Sequence, residues 1–224
     1  MPVRSAPASQ RPFRNREEAG RVLAERLKHY ANRPDVVVLA LPRGGVPVGF
    51  EIANALHVPL DVFVVRKLGV PGHEELAMGA IASGGVRVVN DDVVRHLGLP
   101  DRAIDFVAHK EEQELQRREQ LYRGDRPFPH LKNRTVILVD DGLATGSSMR
   151  AAAQALRRHE PARIVVAVPT AARETCEAFT AEVDEIICAI TPEPFYAVGL
   201  WYDEFSQTSD EEVRDLLARS AHDR

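Results

Sequence analysis

Apolar residues change their spacing along the chain in a way that predicts alternating strands and helices. Residues 36–41 are all aliphatic, which is typical of a strand buried on both faces of a parallel sheet. Helical spacing follows over 48–56 and strand character returns over 60–65, giving one βαβ unit. A second unit comprises a strand from Thr135, a helix over 147–158 and a strand over 164–168. This order predicts an α/β fold with a doubly wound, mainly parallel central sheet flanked by helices.

The remaining segments are predicted from the same periodicities. Helical spacing is clear over 15–30 and 101–121, a further strand is expected over 185–190, and an amphipathic helix follows Ser209. Over 66–90, glycines and polar residues interrupt the pattern, which indicates a long excursion from the sheet with a hairpin as one form. We expect residues 1–12 to form a flexible tail and 13–224 a single domain.

Composition and charge limit the classes of function. The 33 acidic residues outnumber the 29 basic ones, and the net charge of −4 argues against general binding to nucleic acid or a membrane surface. The N-terminal residues lack the apolar core of a signal peptide, and the longest apolar stretches are only as long as strands. Cys176 and Cys188 have no C-x-x-C spacing, so we expect no disulfide and a cytoplasmic location.

The clearest chemistry lies where a strand leads into two acidic residues and a loop of small residues. Asp140 and Asp141 follow the aliphatic residues 136–139, and a helix begins shortly after them. A helix N-terminus has free N–H groups and a partial positive charge, which suit a phosphate. The two carboxylates can accept hydrogen bonds from a vicinal diol or share Mg²⁺ with a substrate. The residues expected to hold the phosphate are Ala144, Thr145, Gly146, Ser147 and Ser148.

This segment resembles the phosphoribosyl-diphosphate (PRPP) signature of type I phosphoribosyltransferases: an apolar strand, an acidic pair, two residues, Ala-Thr-Gly and two serines. The resemblance implies that Asp140 and Asp141 are catalytic, stabilise a developing sugar cation and bind Mg²⁺. It also implies that the loop binds the 5′-phosphate of PRPP. Gly142 departs from the family, which usually has an aliphatic residue there. In the alternative interpretation, the acidic pair only caps a turn.

A second resemblance to this family lies in the loop that follows the first predicted strand. Pro42-Arg43-Gly44-Gly45 is similar to the pyrophosphate-binding loop, in which Arg43 and the Gly44 and Gly45 amides contact the diphosphate. The resemblance implies a cis peptide bond between Pro42 and Arg43. Arg66 and Lys67 end the next predicted strand and are candidates for further contacts to the pyrophosphate. Ordinary exposed basic residues are an equally good interpretation of that pair.

Two variable parts of the family also have counterparts here. The excursion at 66–90 resembles in position the flexible catalytic loop, with Glu74 and Glu75 as candidate acid or base, although either carboxylate could simply be solvated. Residues 191–208 correspond to the hood over the acceptor, in which Trp201 and then Tyr196 are the candidates for stacking on a planar base. We expect the hood residues Phe195 and Phe205 to pack into the core.

The implied reaction displaces pyrophosphate from C1 of PRPP by a nucleophilic acceptor, with Mg²⁺ on the diphosphate. Relatives specific for 6-oxopurines have an acidic residue before Thr-Gly and a lysine after the following strand, where this chain has Ala144 and Val168-Pro169-Thr170. The acceptor is therefore expected to be nucleobase-like but not hypoxanthine or guanine. The resemblance also implies a homodimer. Two alternatives remain: a noncatalytic PRPP- or nucleotide-sensing regulatory protein on this fold, and a receiver domain with a Mg²⁺-binding acidic pair.

Overall fold

The computed structural model of the chain describes residues 11–222 as alternating strands and helices. The strands are β1 (Val36–Ala40), β2 (Leu60–Val62), β3 (Val65–Val70), β4 (His73–Ala82), β5 (Val86–Val89), β6 (Thr135–Val139), β7 (Arg163–Thr170) and β8 (Glu185–Ile190). The α-helices are α1 (Arg16–Arg26), α2 (Gly45–Leu56), α3 (Asp91–Leu97), α4 (Asp101–Arg123), α5 (Ser147–Arg157), α6 (Arg173–Phe179) and α7 (Asp210–His222). Five strands form a parallel sheet in the order β2-β1-β6-β7-β8.

Both faces of this parallel sheet are covered by helices. In β1, Val36, Val38 and Ala40 belong to one hydrophobic core, which includes residues of α1, α2 and α7. Val37 and Leu39 belong to a second core, which includes residues of α5 and α6. Every residue of β1 and β6 is buried, which explains why these strands are aliphatic throughout rather than alternating. The predicted doubly wound α/β fold is confirmed.

The order of the strands brings two loops to the same edge of the sheet. β1 and β6 are parallel neighbours in register, with Ala40 opposite Val139. The chain therefore leaves both strands side by side at their carboxyl ends, where open α/β sheets bind their ligands. One loop is residues 42–45, here called the glycine loop, and the other is residues 140–148.

The excursion at 66–90 is a second, antiparallel sheet in the order β3-β4-β5. We call it the hairpin sheet; its β3–β4 turn lies at residues 71–72, and its strands pack against α4 and α5. The hairpin is confirmed, whereas the mobility expected of it stays a prediction. The sequence does not predict helix α3, which follows it, because the helix has only seven residues and none is buried, although Val93 and Val94 pack against the edge of the core. Its capping signals are present, since Asn90 accepts a hydrogen bond from the Val93 N–H and Gly98 adopts the left-handed conformation.

The expectation that both cysteines stay unpaired is wrong. A disulfide joins Cys176 to Cys188 and thereby links α6 to β8. The C-x-x-C spacing is a poor guide here because the fold, rather than the sequence, brings the two side chains together. Helix α6 connects β7 to its neighbour β8 and packs back on β8, so that residues 12 apart along the chain face each other.

Backbone hydrogen bonds join the hood, residues 191–208, to the segment just before α1. Phe13 is buried and donates its backbone N–H to the Trp201 carbonyl at 2.9 Å. The flexible tail predicted for 1–12 lies almost wholly outside the described residues. The core position expected for Phe205 is wrong, since this ring is 37% exposed and stacks on the buried Tyr202, while Phe195 is half-buried. No helix within 11–222 is long and apolar enough to cross a membrane.

Candidate active site

Asp140 and Asp141, the acidic pair, lie directly against the glycine loop. A Cβ atom at Gly44 would lie 2.0 Å from Oδ2 of Asp141, and one at Gly45 would lie 2.7 Å from the Val139 carbonyl oxygen. Only glycine permits so close an approach, because any other side chain begins with a Cβ. The peptide bond between Pro42 and Arg43 is cis, as the family resemblance implies. The structure therefore brings the two predicted loops together at one point.

Arg16, a residue that the sequence analysis did not single out, binds the acidic pair. Its Nε and Nη2 both lie 2.9 Å from Oδ2 of Asp141, and its Nη1 donates to the Ser206 carbonyl at 2.8 Å. The guanidinium carbon lies 4.0 Å from the centre of the Phe205 ring. One sequence signal could have indicated this residue. Arg16 is the first residue of α1, where the helix dipole disfavours a cation, so that a specific anionic partner is expected.

Tyr202 holds the acidic pair from the hood side. Its hydroxyl donates to the backbone carbonyl of Asp141 at 2.6 Å. Burial, and then the nearby Asp141 carboxylate, raise the pKa of Tyr202 far above its usual value, so it remains a hydrogen-bond donor at any physiological pH. The hood therefore contacts Asp141 directly, through Tyr202, and indirectly, through Arg16.

Each carboxylate of the acidic pair keeps one free oxygen. Oδ1 of Asp140 accepts the Asp141 N–H at 2.8 Å, and Oδ2 of Asp141 accepts Arg16. Among the described residues, none donates a hydrogen bond to Oδ2 of Asp140 or to Oδ1 of Asp141. Burial, followed by the charge of Asp141, raises the pKa of Asp140 well above its usual value. Burial also raises the pKa of Asp141, and Arg16 opposes that shift.

The loop after the acidic pair surrounds a small cavity at the start of α5. The cavity measures about 180 Å³, and its lining includes Asp140 and all five predicted phosphate residues, Ala144, Thr145, Gly146, Ser147 and Ser148. Helix α6 supports this loop from behind, because the Thr175 hydroxyl donates to the Ala144 carbonyl at 2.9 Å. Gly146 has a φ of 72°, and a Cβ there would lie 2.7 Å from the Phe179 ring. The start of α5 forms one wall of the cavity, where the first N–H groups of a helix have no partner within the helix. The Ser147 N–H donates to the Thr145 hydroxyl at 3.5 Å.

The structure explains the departure from the family at Gly142. A Cβ at this position would lie 2.5 Å from Cγ1 of Val198 in the hood. Val198 also lines the cavity of the phosphate residues. The aliphatic group that the family usually carries on the loop is therefore supplied here by the hood.

The three basic residues predicted to bind pyrophosphate have different surroundings in the structure. Arg43 is one-third exposed and lies 3.8 Å from Asp210 at the start of α7. Arg66 is bound to Glu111 of α4, with its Nε at 2.7 Å and its Nη2 at 2.5 Å. Lys67 is exposed and, together with Ser147, lines a larger cavity of about 590 Å³ between the hairpin sheet and α5. The structure does not bring Arg66 to the acidic pair.

The remaining predicted residues lie at the edges of the site. Glu74 and Glu75 are exposed at the start of β4, and no described contact joins them to the acidic pair. Tyr196 is 78% exposed. Trp201 is half-buried, and its Nε1 is buried without a hydrogen-bond partner among the described residues. The roles assigned to these four residues stay predictions.

The acidic pair fits a metal ion that a substrate would share. No group of three or more His, Cys, Asp or Glu side chains within 11–222 could hold a metal by itself. Mg²⁺ is commonly held by only one or two carboxylates together with substrate phosphates. The free oxygens of Asp140 and Asp141 supply that donor set.

The parallel five-stranded sheet flanked by helices is that of the type I phosphoribosyltransferase fold. The family model described as the phosphoribosyl transferase domain matches residues 14–196, and the chain belongs to this family. It is 49% identical over 211 residues to proteins provisionally named phosphoribosyl transferase in two strains of Mycobacterium tuberculosis. These matches cover 94% of this chain but 47% of the relatives, so the chain spans about half their length.

A solved structure agrees over nearly the whole chain. The protein TT1426 from Thermus thermophilus is 41% identical and superposes with a TM-score of 0.84, and the match covers 93% of this chain and 98% of that one.

Proposed function

We propose that this protein transfers the 5-phosphoribosyl group of PRPP to a nucleobase-like acceptor and releases pyrophosphate. One observation carries the proposal: Asp140 and Asp141 each keep one free oxygen, beside a cavity at the start of α5 that residues 144–148 line. Two free carboxylate oxygens match the two adjacent hydroxyls of a ribose. A phosphate at α5 and a diol at the acidic pair together describe a 5-phosphoribosyl group.

The leaving pyrophosphate is assigned to the glycine loop. Gly44 and Gly45 lie against the acidic pair, so their amides and the neighbouring Arg43 are the groups proposed to contact a diphosphate on C1 of the ribose. The Gly45 N–H donates to the Leu41 carbonyl at 3.1 Å and would have to leave it to bind the ligand. Lys67 and, after release from Glu111, Arg66 are the further cations proposed for this group. Bound Mg²⁺ would neutralise charge on the leaving diphosphate.

Catalysis by this chain is then mainly positioning and electrostatics. As the bond from C1 to the diphosphate breaks, positive charge develops on the ribose, and the nearby Asp140 and Asp141 carboxylates stabilise it. We propose that the hairpin sheet closes over the site, excludes water from the sugar cation and brings Glu74 or Glu75 to the acceptor as acid or base.

The acceptor is proposed to bind beneath the hood. Trp201 and Tyr196 are the candidate stacking residues, and Val198 forms the wall beside Gly142. Ala144, and Val168-Pro169-Thr170 at the end of β7, stand where 6-oxopurine-specific relatives have an acidic residue and a lysine, which argues against hypoxanthine and guanine. We also expect a homodimer that binds neither nucleic acid nor membrane. The cytoplasmic location expected from unpaired cysteines loses that support, because Cys176 and Cys188 form a disulfide.

The test is a PRPP- and Mg²⁺-dependent screen for pyrophosphate release across nucleobases, amines and cell extract. We expect release with one class of acceptor and its loss in Asp141→Asn. The matched control is Asp105→Asn, because Asp105 is an exposed aspartate on α4 that pairs only with Arg87 in the described structure. Binding of PRPP without release for any acceptor would favour the noncatalytic PRPP sensor, and no binding of PRPP would exclude both functions.

A further inference from the structure

We propose that Arg16 is a positioning residue: it fixes Asp141 so that the acidic pair offers one oxygen from each carboxylate to the ribose diol, and the hood holds Arg16 in that place. The inference rests on the proposed function and deepens it. It assigns a role to a side chain in the first turn of α1, 125 residues away from the acidic pair along the chain.

The first step is the way the guanidinium meets the carboxylate. Arginine commonly binds a carboxylate side by side, with one N–H group to each oxygen. Here Nε and Nη2 both bind Oδ2 of Asp141, at 2.9 Å each. Arg16 therefore takes one oxygen of Asp141 and leaves Oδ1 without a donor among the described residues.

The second step is that the glycine loop encloses the same oxygen. A Cβ built on Gly44 would lie 2.0 Å from Oδ2 of Asp141 but 3.3 Å from Oδ1. Oδ2 is thus confined between Arg16 and the backbone of Gly44, and the Asp141 side chain cannot exchange its oxygens freely. The geometry sets which oxygen faces a ligand.

The third step is that the hood holds Arg16. Ser206 accepts its Nη1 at 2.8 Å, the Phe205 ring lies 4.0 Å from the guanidinium carbon, and the side chain is 11% exposed. A guanidinium that is hydrogen-bonded on two sides and stacked on a ring has little freedom to move. Because the hood also reaches Asp141 through Tyr202, a displaced hood would disturb the carboxylate on both its backbone and its side chain.

The test compares ligands with and without a diol. Isothermal titration calorimetry with Mg²⁺ measures PRPP, ribose 5-phosphate and inorganic pyrophosphate binding to the wild type, Arg16→Lys and Arg16→Met. We expect Arg16→Met to weaken PRPP and ribose 5-phosphate by roughly tenfold to a hundredfold, the range for one charged hydrogen bond, and pyrophosphate by less than about twofold. Arg16→Lys keeps the charge but not the planar double donor. Its affinities for PRPP and ribose 5-phosphate should therefore lie between those of the wild type and of Arg16→Met.

Arg26→Met is the matched control, because Arg26 lies on the same helix and donates to the carbonyls of Cys188 and Ala189, away from the site. It should leave all three affinities unchanged. Equal weakening of the three ligands by the Arg16 variants, or no weakening, would overturn the inference. If Arg16→Met does not fold, as circular dichroism would show, Arg16→Lys decides by the same ligand comparison. If the wild type binds neither PRPP nor ribose 5-phosphate, the proposed function itself is wrong. The failure of the proposed function is therefore distinguishable from the failure of this inference.

Discussion

The acidic pair and the cations proposed to bind pyrophosphate are held in different ways. On the acidic side, Asp141 is fixed by Arg16, by Tyr202 and by the close approach of Gly44. On the cationic side, Arg66 is bound to Glu111 and Lys67 is exposed. Groups that stabilise charge work best when they are already oriented, so we expect the part of the site proposed for ribose and the 5′-phosphate to bind its ligand without rearrangement. We expect the part proposed for pyrophosphate to rearrange on binding.

The largest effect is expected from Asp140→Asn, which tests the acidic side. Loss of a charged acceptor for the ribose should weaken PRPP by roughly a hundredfold. The ligand-free protein should nevertheless unfold at a temperature about 2–4 °C higher at pH 7. Burial raises the pKa of Asp140, so this carboxyl favours folding when protonated, and that contribution is lost as the pH rises through the folded-state pKa. Asparagine is neutral at every pH and avoids the cost.

Calorimetry and thermal unfolding at pH 7 and at about pH 4 check this prediction, because the stability difference should shrink once Asp140 itself is protonated. A variant that is both less stable at pH 7 and unchanged in PRPP affinity would contradict it.

Gly44→Ala tests whether the two loops really touch. Its φ of −61° is ordinary for alanine, so any cost comes from the contact with Asp141 rather than from the backbone. Overpacking of this kind costs about 1–3 kcal/mol of unfolding free energy. Chemical denaturation of Gly44→Ala in the wild type and in an Asp141→Ala background gives the comparison. Gly44→Ala should lower the unfolding free energy much less in the Asp141→Ala background than in the wild type. Equal losses in the two backgrounds would show that Gly44 does not contact Asp141.

Thr175→Val tests the hydrogen bond by which α6 supports the loop at residues 140–148. The variant removes the hydrogen bond to the Ala144 carbonyl, and at about 1 kcal/mol this should weaken PRPP roughly fivefold. Thr180→Val is the control, since the Thr180 hydroxyl, just after the same helix, donates to the Glu177 carbonyl and, within residues 11–222, to no group of the loop. The prediction fails if calorimetry gives the same PRPP affinity for both variants.

The smallest effect is expected on the cationic side, from Glu111→Gln. Freeing Arg66 should tighten pyrophosphate by no more than about fivefold, because a partly exposed ion pair is worth about 1 kcal/mol or less. Glu114→Gln is the control on the same helix, as Glu114 pairs with Arg117 and Arg118 instead. Weaker pyrophosphate binding in Glu111→Gln would mean that the ion pair already holds Arg66 where the ligand needs it.

The sequence predicts the parallel sheet and the two loops because those signals are local. A strand such as β1 is aliphatic throughout, and the acidic pair stands next to the loop that it serves. Arg16 and the disulfide depend on contacts between distant segments, which periodicity does not encode. Helix α3 has capping residues but is short and has no buried residue, and Phe205 is aromatic yet lies against the Arg16 guanidinium rather than in the core. Residue type alone therefore does not separate core aromatics from site aromatics.

The exchange between Gly142 and Val198 has a consequence for how such a protein could be redesigned or could diverge. Val198 packs against Gly142, the neighbour of Asp141, and lines the cavity of the phosphate residues, so a change in its size would act on the loop that carries the acidic pair. Side chains at positions 142 and 198 compete for the same space, and we expect these two positions to vary together. A library for new acceptors should therefore keep Val198 and vary exposed hood positions such as Tyr196.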